Sequence, residues 1–170
     1  MKKTILVLLV VFGSAFAVDI AKVPSSVSIS GKDGGRTDGK AWHSSSLKGK
    51  VTIVFYVDPD KKDLNEALNQ ALKKETFDRS KFASVAIVNM AATWMPNMAI
   101  ESKLKSKQKE FPQTTYVRDR NKVLVKKWKL GDDNSDVLVF DKKGVLMYKK
   151  FGKLSSSEIK KVIALIKKNL

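Results

Sequence analysis

The chain has no cysteine and a single histidine, and both shortages limit the chemistry that it can perform. Without cysteine there is no thiol nucleophile, no disulfide exchange, no Cys-ligated zinc and no iron–sulfur cluster. One histidine, His43, cannot build a multi-histidine metal site. It also stands in a Ser- and Gly-rich segment with no acid positioned beside it, so we expect no Ser–His catalytic pair there.

Acidic residues are also scarce, because 17 Asp plus Glu face 33 Lys plus Arg and leave a formal charge of +16. Nearly all of the basic residues are lysine, whereas base readout and bidentate phosphate contacts favour arginine. We therefore expect no specific binding of nucleic acid. The lysines favour weak, salt-dependent attraction to polyanions or anionic surfaces, and the alternative is that they only keep the surface solvated.

The N-terminus has the pattern of a signal peptide over residues 1–17. Two lysines precede an apolar run over residues 4–12, and Ala15-Phe16-Ala17 offers a small-x-small cleavage site. The run is shorter than the ~20 apolar residues of a spanning helix, although an uncleaved anchor is the alternative. Cleavage after Ala17 and a periplasmic location are therefore predicted, and residues 18–170 have the length of a single domain, expected to be a monomer.

The hydrophobic pattern of residues 18–170 predicts alternating strands and helices. In chain order it gives a hairpin over 24–50, a strand over 51–57, a helix over 64–72, a strand over 82–88, a helix over 96–110, extended segments over 114–117 and 123–128, a strand pair over 137–140 and 145–151, and a helix from Ser155. Asp58 before Pro59 is expected to cap the first helix, and Ser155 with Glu158 the last. This order predicts an α/β fold of thioredoxin type: a three-layer α/β/α sandwich with a central mixed sheet and an N-terminal β-hairpin extension.

A family resemblance rests on short segments spread over roughly residues 19–168. They are Ile87-Val88-Asn89, Ile100-Glu101-Ser102, the lysine-rich helix that runs into Phe111-Pro112, Trp128 with Leu130, and the Asp141 turn before the helix start over 154–158. With these segments the chain resembles the YtfJ family of bacterial exported proteins. The resemblance implies a thioredoxin-like fold, a periplasmic location and no established activity.

More distantly, the strand over 51–57 and the Lys48-Gly49-Lys50 before it resemble TlpA-type thioredoxins. In those proteins this strand is followed by a CxxC motif, whose corresponding positions here are about Asp60 and Asp63. The place of their cis-proline is held by about Ser135. The resemblance therefore implies a thioredoxin architecture without its redox centre.

Residues 92–98 read ATWMPNM and look like a thioredoxin active-site motif with both cysteines replaced by methionine. This segment follows the predicted strand over 82–88, whereas the redox motif of thioredoxins follows the strand that corresponds to 51–57. The position in the fold therefore does not match. Thioether ligands suit Cu(I), so a copper-binding protein using Met90, Met95 and Met98 is one alternative function. Core packing explains the methionines more simply, and Trp94 is expected to be a packed or partly exposed loop aromatic.

Two acidic segments resemble those of haloacid-dehalogenase-type phosphatases. Asp58 and Asp60 follow four apolar residues, and in such enzymes the first Asp attacks phosphate while the second acts as general acid. Asp132 and Asp136 would then bind magnesium. Helix capping and turn formation explain the same residues without catalysis, so a magnesium-dependent phosphatase stays an alternative that requires all four carboxylates in one cleft.

The sequence thus favours an exported, redox-inactive protein with a binding or scaffolding role in the cell envelope. No catalytic residue, metal or cofactor is predicted, and the expected partner is an unknown envelope protein or a polyanionic envelope component. Loops after parallel strands face the usual ligand crevice of such sheets. The candidate crevice residues are Asp58, Pro59, Asp60, Asn89, Trp94 and Met95.

Overall fold

The computed structural model describes residues 17–170. The predicted signal peptide, apart from its last residue, lies outside the described residues. The strands are β1 (Ser28–Ile29), β2 (Gly34–Arg36), β3 (Trp42–His43), β4 (Val51–Val57), β5 (Phe82–Asn89), β6 (Thr114–Asp119), β7 (Ser135–Phe140) and β8 (Leu146–Phe151). The α-helices are α1 (Glu66–Lys74), α2 (Asn97–Glu110), α3 (Val123–Trp128) and α4 (Ser156–Asn169). Among the helices of this part of the chain, none is long and apolar enough to cross a bilayer.

Six of the strands form one mixed sheet in the order β2-β6-β5-β4-β7-β8, and β1 pairs with β3 in a separate ladder. β4, β5 and β6 are parallel, whereas β2, β7 and β8 are antiparallel to their neighbours. β4 is buried along nearly its whole length because strands flank it on both sides and packed layers cover both faces. The three parallel strands end together at Val57, Asn89 and Asp119, and we call this end of the sheet the carboxyl edge.

The sheet separates two packed layers. On one face α1 and α4 cover the centre, and α2 covers β5 and β6 through Ile100 and Leu104. On the other face α3 and the β1–β3 ladder bury the large aromatics Trp42 and Trp128 against the sheet. Tyr116 and Val117 on β6 point to opposite faces, as adjacent strand residues must. The predicted three-layer α/β/α arrangement is thereby confirmed.

The segment predicted as extended over 123–128 is instead the helix α3, so that prediction was wrong. Leu124 and Trp128 are four residues apart and both fully buried, which is helical spacing. The Asp119 carboxylate fixes the start of the helix, because Oδ1 accepts from the Val123 amide at 2.8 Å and Oδ2 accepts from the Leu124 amide at 3.0 Å. The β-branched valines of this segment had favoured a strand in the sequence.

The helix after β4 also begins later than predicted, at Glu66 rather than near residue 64. Asp58 does act as a cap, but for a 3-10 turn over Pro59–Lys61, and its Oδ1 accepts from the Asp60 amide at 2.9 Å. A second turn then separates that cap from α1. The capping box of Ser155 and Glu158 at α4 is confirmed.

The N-terminal region forms the predicted antiparallel pair, with Ser28 opposite His43, and the segment between these two strands includes β2. β2 pairs with β6 at the edge of the central sheet, which the sequence interpretation missed. Glycine permits this approach, because Gly34 has φ 117° and a Cβ there would lie 2.0 Å from the Arg118 carbonyl oxygen. The hairpin of β7 and β8 around Gly144 is as predicted.

Candidate functional site

Each of the three parallel strands is followed by or ends in a buried polar side chain at the carboxyl edge. These are Asp58 after β4, Asn89 at the end of β5 and Asp119 at the end of β6, all at most 1% exposed. The loop Gly131–Asn134, which we call the acidic loop, closes over the first two. The Asn89 Nδ2 donates to Asp132 Oδ1 at 3.0 Å, and the Asp58 amide donates to the Asn134 carbonyl at 2.8 Å. The edge is therefore covered by its own chain.

The two aspartates of the acidic loop have different surroundings. Asp132 accepts from Lys122 Nζ at 2.8 Å, and this hydrogen bond is the largest cause that holds the pKa of Asp132 below its usual range. Asp133 adopts a left-handed φ of 61° and lies beside Asp58, with Lys61 Nζ 3.7 Å from its Oδ1. Burial, and to a lesser extent the nearby Asp133, raises the pKa of Asp58. These contacts hold the loop in place.

Asp136 anchors the start of the acidic loop from β7. Its side chain is fully buried, and its Oδ2 accepts from the Gly131 amide at 2.5 Å. Burial raises the pKa of Asp136 to about 6, although the amides of Gly131 and Gly152 favour the charged form. Its cross-strand neighbour on β4 is Tyr56. Asp136 thus serves the folding of the loop.

Asp119 links the carboxyl edge to the core. The Tyr56 hydroxyl donates a hydrogen bond to Asp119 Oδ2 at 3.1 Å. The same carboxylate also accepts hydrogen bonds from two backbone amides of α3. Burial, and then the charge of Asp119, raises the pKa of Tyr56. The sequence interpretation did not single out Asp119. An acid five residues before Leu124, the first of the apolar pair Leu124 and Trp128 at helical spacing, is the signal that could have found it.

Asn65 is a second buried polar residue that the sequence interpretation missed. Its Nδ2 donates to the Ser135 carbonyl at 3.1 Å and the Gly152 carbonyl at 3.2 Å, and its Oδ1 accepts from the Leu154 amide at 3.0 Å. It therefore ties the segment before α1 to β7 and to the end of β8. Ser135, which holds the place of the thioredoxin cis-proline, is buried in this network, and the peptide bonds of the described residues are all trans.

The six candidate crevice residues separate into two groups. Asp58 and Asn89 lie buried under the acidic loop, and each keeps one side-chain oxygen, Asp58 Oδ2 and Asn89 Oδ1, with no hydrogen-bond partner among residues 17–170. Pro59 and Asp60 lie in the 3-10 turn outside, where Asp60 is exposed. Met95 and Trp94 lie in the next loop, beyond the end of β5. The structure thus places Asp58 and Asn89 together under the acidic loop and leaves the other four candidates outside it.

The geometry gives the phosphatase hypothesis no support. Of the four aspartates that it needs, Asp60 faces solvent, Asp132 is bonded to Asn89 and Lys122, and Asp136 is bonded to the Gly131 amide. Within the described residues, no group of three His, Cys, Asp or Glu side chains is arranged to hold a metal ion.

The copper hypothesis also finds no support, because the three methionines lie in different environments. Met90 is 2% exposed in a cluster with Ile100 and Leu104, whereas Met98 is 83% exposed. Met95 packs against the Met90 cluster, and its sulfur is 3.6 Å from Lys103 Nζ. The thioethers therefore do not surround one ion.

Trp94 is 91% exposed, so the prediction of a packed or partly exposed aromatic was wrong. Met90 and Met95 pack in the cluster between α2 and the sheet, and Trp94 does not take part in it. The loop is fixed by a local bond in which the Met95 amide donates to Thr93 Oγ1 at 3.2 Å. Met98, four residues further along in the first turn of α2, is a second exposed apolar side chain.

Solved structures identify the class of protein to which this fold belongs. The chain is similar to a thioredoxin-type protein from Neisseria meningitidis, with a TM-score of 0.61 and 16% identity over 88% of this chain and 92% of that one. It is also similar to a thiol-disulfide isomerase from Corynebacterium glutamicum, with a TM-score of 0.57 and 19% identity over 77% and 89% of the two chains. At these identities the similarity shows the fold alone, which is thioredoxin-like.

Sequence comparison then gives the family. Residues 21–169 match the family described as "Bacterial protein of unknown function (YtfJ_HI0045)". The chain is 31% identical over 134 residues to the uncharacterized protein YtfJ of Escherichia coli (strain K12), covering 77% of this chain and 73% of that protein. The chain belongs to the YtfJ family, and the resemblance stated from the sequence is confirmed.

Proposed function

We propose that this chain is an exported, redox-inactive protein of thioredoxin fold that binds an anionic component of the cell envelope. The observation that supports binding rather than chemistry lies after β4. After this strand, Asp58 caps a 3-10 turn, and no thiol is present. The acidic loop covers the crevice behind this turn. The buried polar side chains of the carboxyl edge are used to hold the fold together.

The anionic partner is proposed from the charge. The formal charge is +16, and the lysines of α2 and α4 point to solvent. A surface of one sign attracts polyanions over a distance set by the salt concentration. The exposed lysines on these two helices are Lys103, Lys105, Lys107, Lys109, Lys160, Lys161, Lys167 and Lys168.

Retention on immobilised heparin, used as a model polyanion, tests this proposal. We expect release below about 0.5 M salt, where the Debye length is only several ångströms. Reversing Lys103, Lys105, Lys107 and Lys109 to Glu should weaken retention. It should leave folding nearly unchanged, because each exposed charge contributes at most roughly 1 kcal/mol. Retention that survives higher salt would contradict the diffuse-charge account, and absence of retention at low salt would contradict anion binding altogether.

Export rests on the signal-peptide pattern of residues 1–17, and the packing of Val18 supports a domain that begins there. Val18 is 2% exposed, and its amide nitrogen donates to the Trp128 carbonyl at 3.1 Å. A new α-ammonium at Val18 would keep this donor. We expect the intact mass of protein recovered from the periplasm to correspond to a chain that starts at Val18. Recovery of the Met1 chain from the membrane fraction would favour an uncleaved anchor instead.

A further inference from the structure

Two exposed apolar side chains lie four residues apart in the chain, beyond the end of β5. Trp94 is 91% exposed and Met98 is 83% exposed, and we call this pair the Trp94 tip. The other two tryptophans, Trp42 and Trp128, are at most 2% exposed, so the exposure of Trp94 is not a general property of the aromatics in this fold. A tryptophan with an accessible ring and N–H group suits a boundary between apolar and aqueous phases.

A cationic surface continues from the Trp94 tip along α2. Lys105 and Lys109 follow Met98 at seven and eleven residues, which places all three on one exposed face of the helix. Neither lysine forms an ion pair with another residue of the described chain. We call Lys105 and Lys109 the lysine face.

The lysine face borders an open groove of about 520 Å³ between α2 and the edge of the sheet. Arg36, from β2, lies on the other side of the groove, and its charge is partly offset by Asp38 at 2.8 Å. The groove thus adds one cationic side chain, Arg36, to the two of the lysine face. Its walls also include neutral hydrogen-bonding side chains, and these are Thr37, Gln108, Thr114 and Thr115.

From this juxtaposition we propose that the Trp94 tip and the lysine face form a docking surface for an anionic lipid bilayer. The tip enters the headgroup layer, and the lysines contact lipid phosphates around it. The inference rests on the proposed function, since it names an anionic membrane as the envelope component. Binding of a protein surface to a membrane strengthens with the apolar area that it inserts and with its attraction to anionic lipids, and this surface offers both.

The size and charge of the surface favour a bilayer over a protein. A stable protein interface buries about 800 Å² on each partner around an apolar core, and two side chains on a loop and a first helical turn do not supply such a core. A bilayer needs only a shallow insertion, because the surrounding plane supplies the charge that the lysines contact. The net positive charge of the chain complements that plane.

Tryptophan fluorescence gives a selective test. Because the other two tryptophans are buried, acrylamide should quench chiefly Trp94. We expect vesicles of phosphatidylethanolamine with phosphatidylglycerol to shift the emission to shorter wavelength and to protect Trp94 from acrylamide. Vesicles of phosphatidylcholine alone should do neither. Sedimentation of the protein with the vesicles measures the affinity itself.

Variants separate the docking surface from diffuse attraction. Trp94→Ala should weaken sedimentation with anionic vesicles roughly tenfold, and Trp94→Phe should weaken it far less, because apolar insertion scales with buried area. Lys105→Glu with Lys109→Glu should weaken it by a similar factor. The matched control, Lys126→Glu with Lys127→Glu, makes the same charge change on α3 at the opposite face of the sheet and should have little effect. Circular dichroism checks that each variant folds.

The outcomes distinguish this inference from the proposed function. The docking surface would be overturned if the α2 and α3 lysine variants lost vesicle binding equally and Trp94→Ala lost none. Diffuse anion binding would remain intact in that case. Heparin retention without any vesicle binding would likewise overturn the lipid partner alone. A protein that binds neither heparin nor vesicles would overturn the proposed function as well. Vesicle binding lost only with the α2 lysines and Trp94 would support the inference.

Discussion

Replacing Trp128 by alanine is expected to lower the free energy of unfolding by about 3–5 kcal/mol. Trp128 is fully buried between α3 and the sheet, with its ring 6.3 Å from that of Trp42 and 6.2 Å from that of Phe140. Its Nε1 also donates to the Ser25 carbonyl at 2.9 Å and so holds the N-terminal segment against the core. The substitution removes both the packing and this bond.

Urea unfolding followed by far-ultraviolet circular dichroism measures this loss without relying on tryptophan emission. Trp94→Ala is the matched control, because the same change at a side chain that is 91% exposed should alter stability by no more than about 0.5 kcal/mol. Trp128→Phe should fall between the two, since it keeps part of the ring packing and loses the bond to Ser25. A Trp128→Ala protein as stable as Trp94→Ala would show that α3 does not pack as described.

Much of the fold was predictable because the central strands are rich in apolar residues. β4 and β5 are nearly continuous apolar runs, and the predicted and observed bounds agree to within one residue. α3 was missed for a local reason and a distant one. It has only six residues with two β-branched valines among them, and its cap, Asp119, belongs to the preceding strand.

The candidate site was predictable only where chain order implies position. Asp58 and Asn89 were found because loops that follow parallel strands meet at one edge of a sheet. Asn65 was missed because it bonds to Ser135, 70 residues further along the chain, and no local pattern reports such a contact. The exposure of Trp94 was missed for the opposite reason. Apolar side chains are expected inside, and the sequence does not reveal that Met90 and Met95, rather than Trp94, pack in the cluster with Ile100 and Leu104.

Asp119→Ala is expected to cost roughly 2–4 kcal/mol of unfolding free energy, because one carboxylate serves several buried donors. The Tyr56 hydroxyl would lose its acceptor at 3.1 Å inside the core, and the Val123 and Leu124 amides would lose the cap of α3. Asp119→Asn retains one side-chain oxygen as an acceptor and should cost less than half as much. Urea unfolding of the two variants under identical conditions measures the difference.

A double-mutant cycle shows how much of that cost belongs to the buried hydroxyl. Tyr56→Phe alone should destabilise the protein modestly, since it removes one donor while the Leu124 amide still satisfies the same carboxylate oxygen. In the Asp119→Ala background the hydroxyl has lost its acceptor, so removing it should be neutral or stabilising. The two substitutions should therefore couple by about 1 kcal/mol or more. Simple additivity would mean that Tyr56 and Asp119 do not share a bond, and that the cost of Asp119→Ala arises from the α3 cap alone.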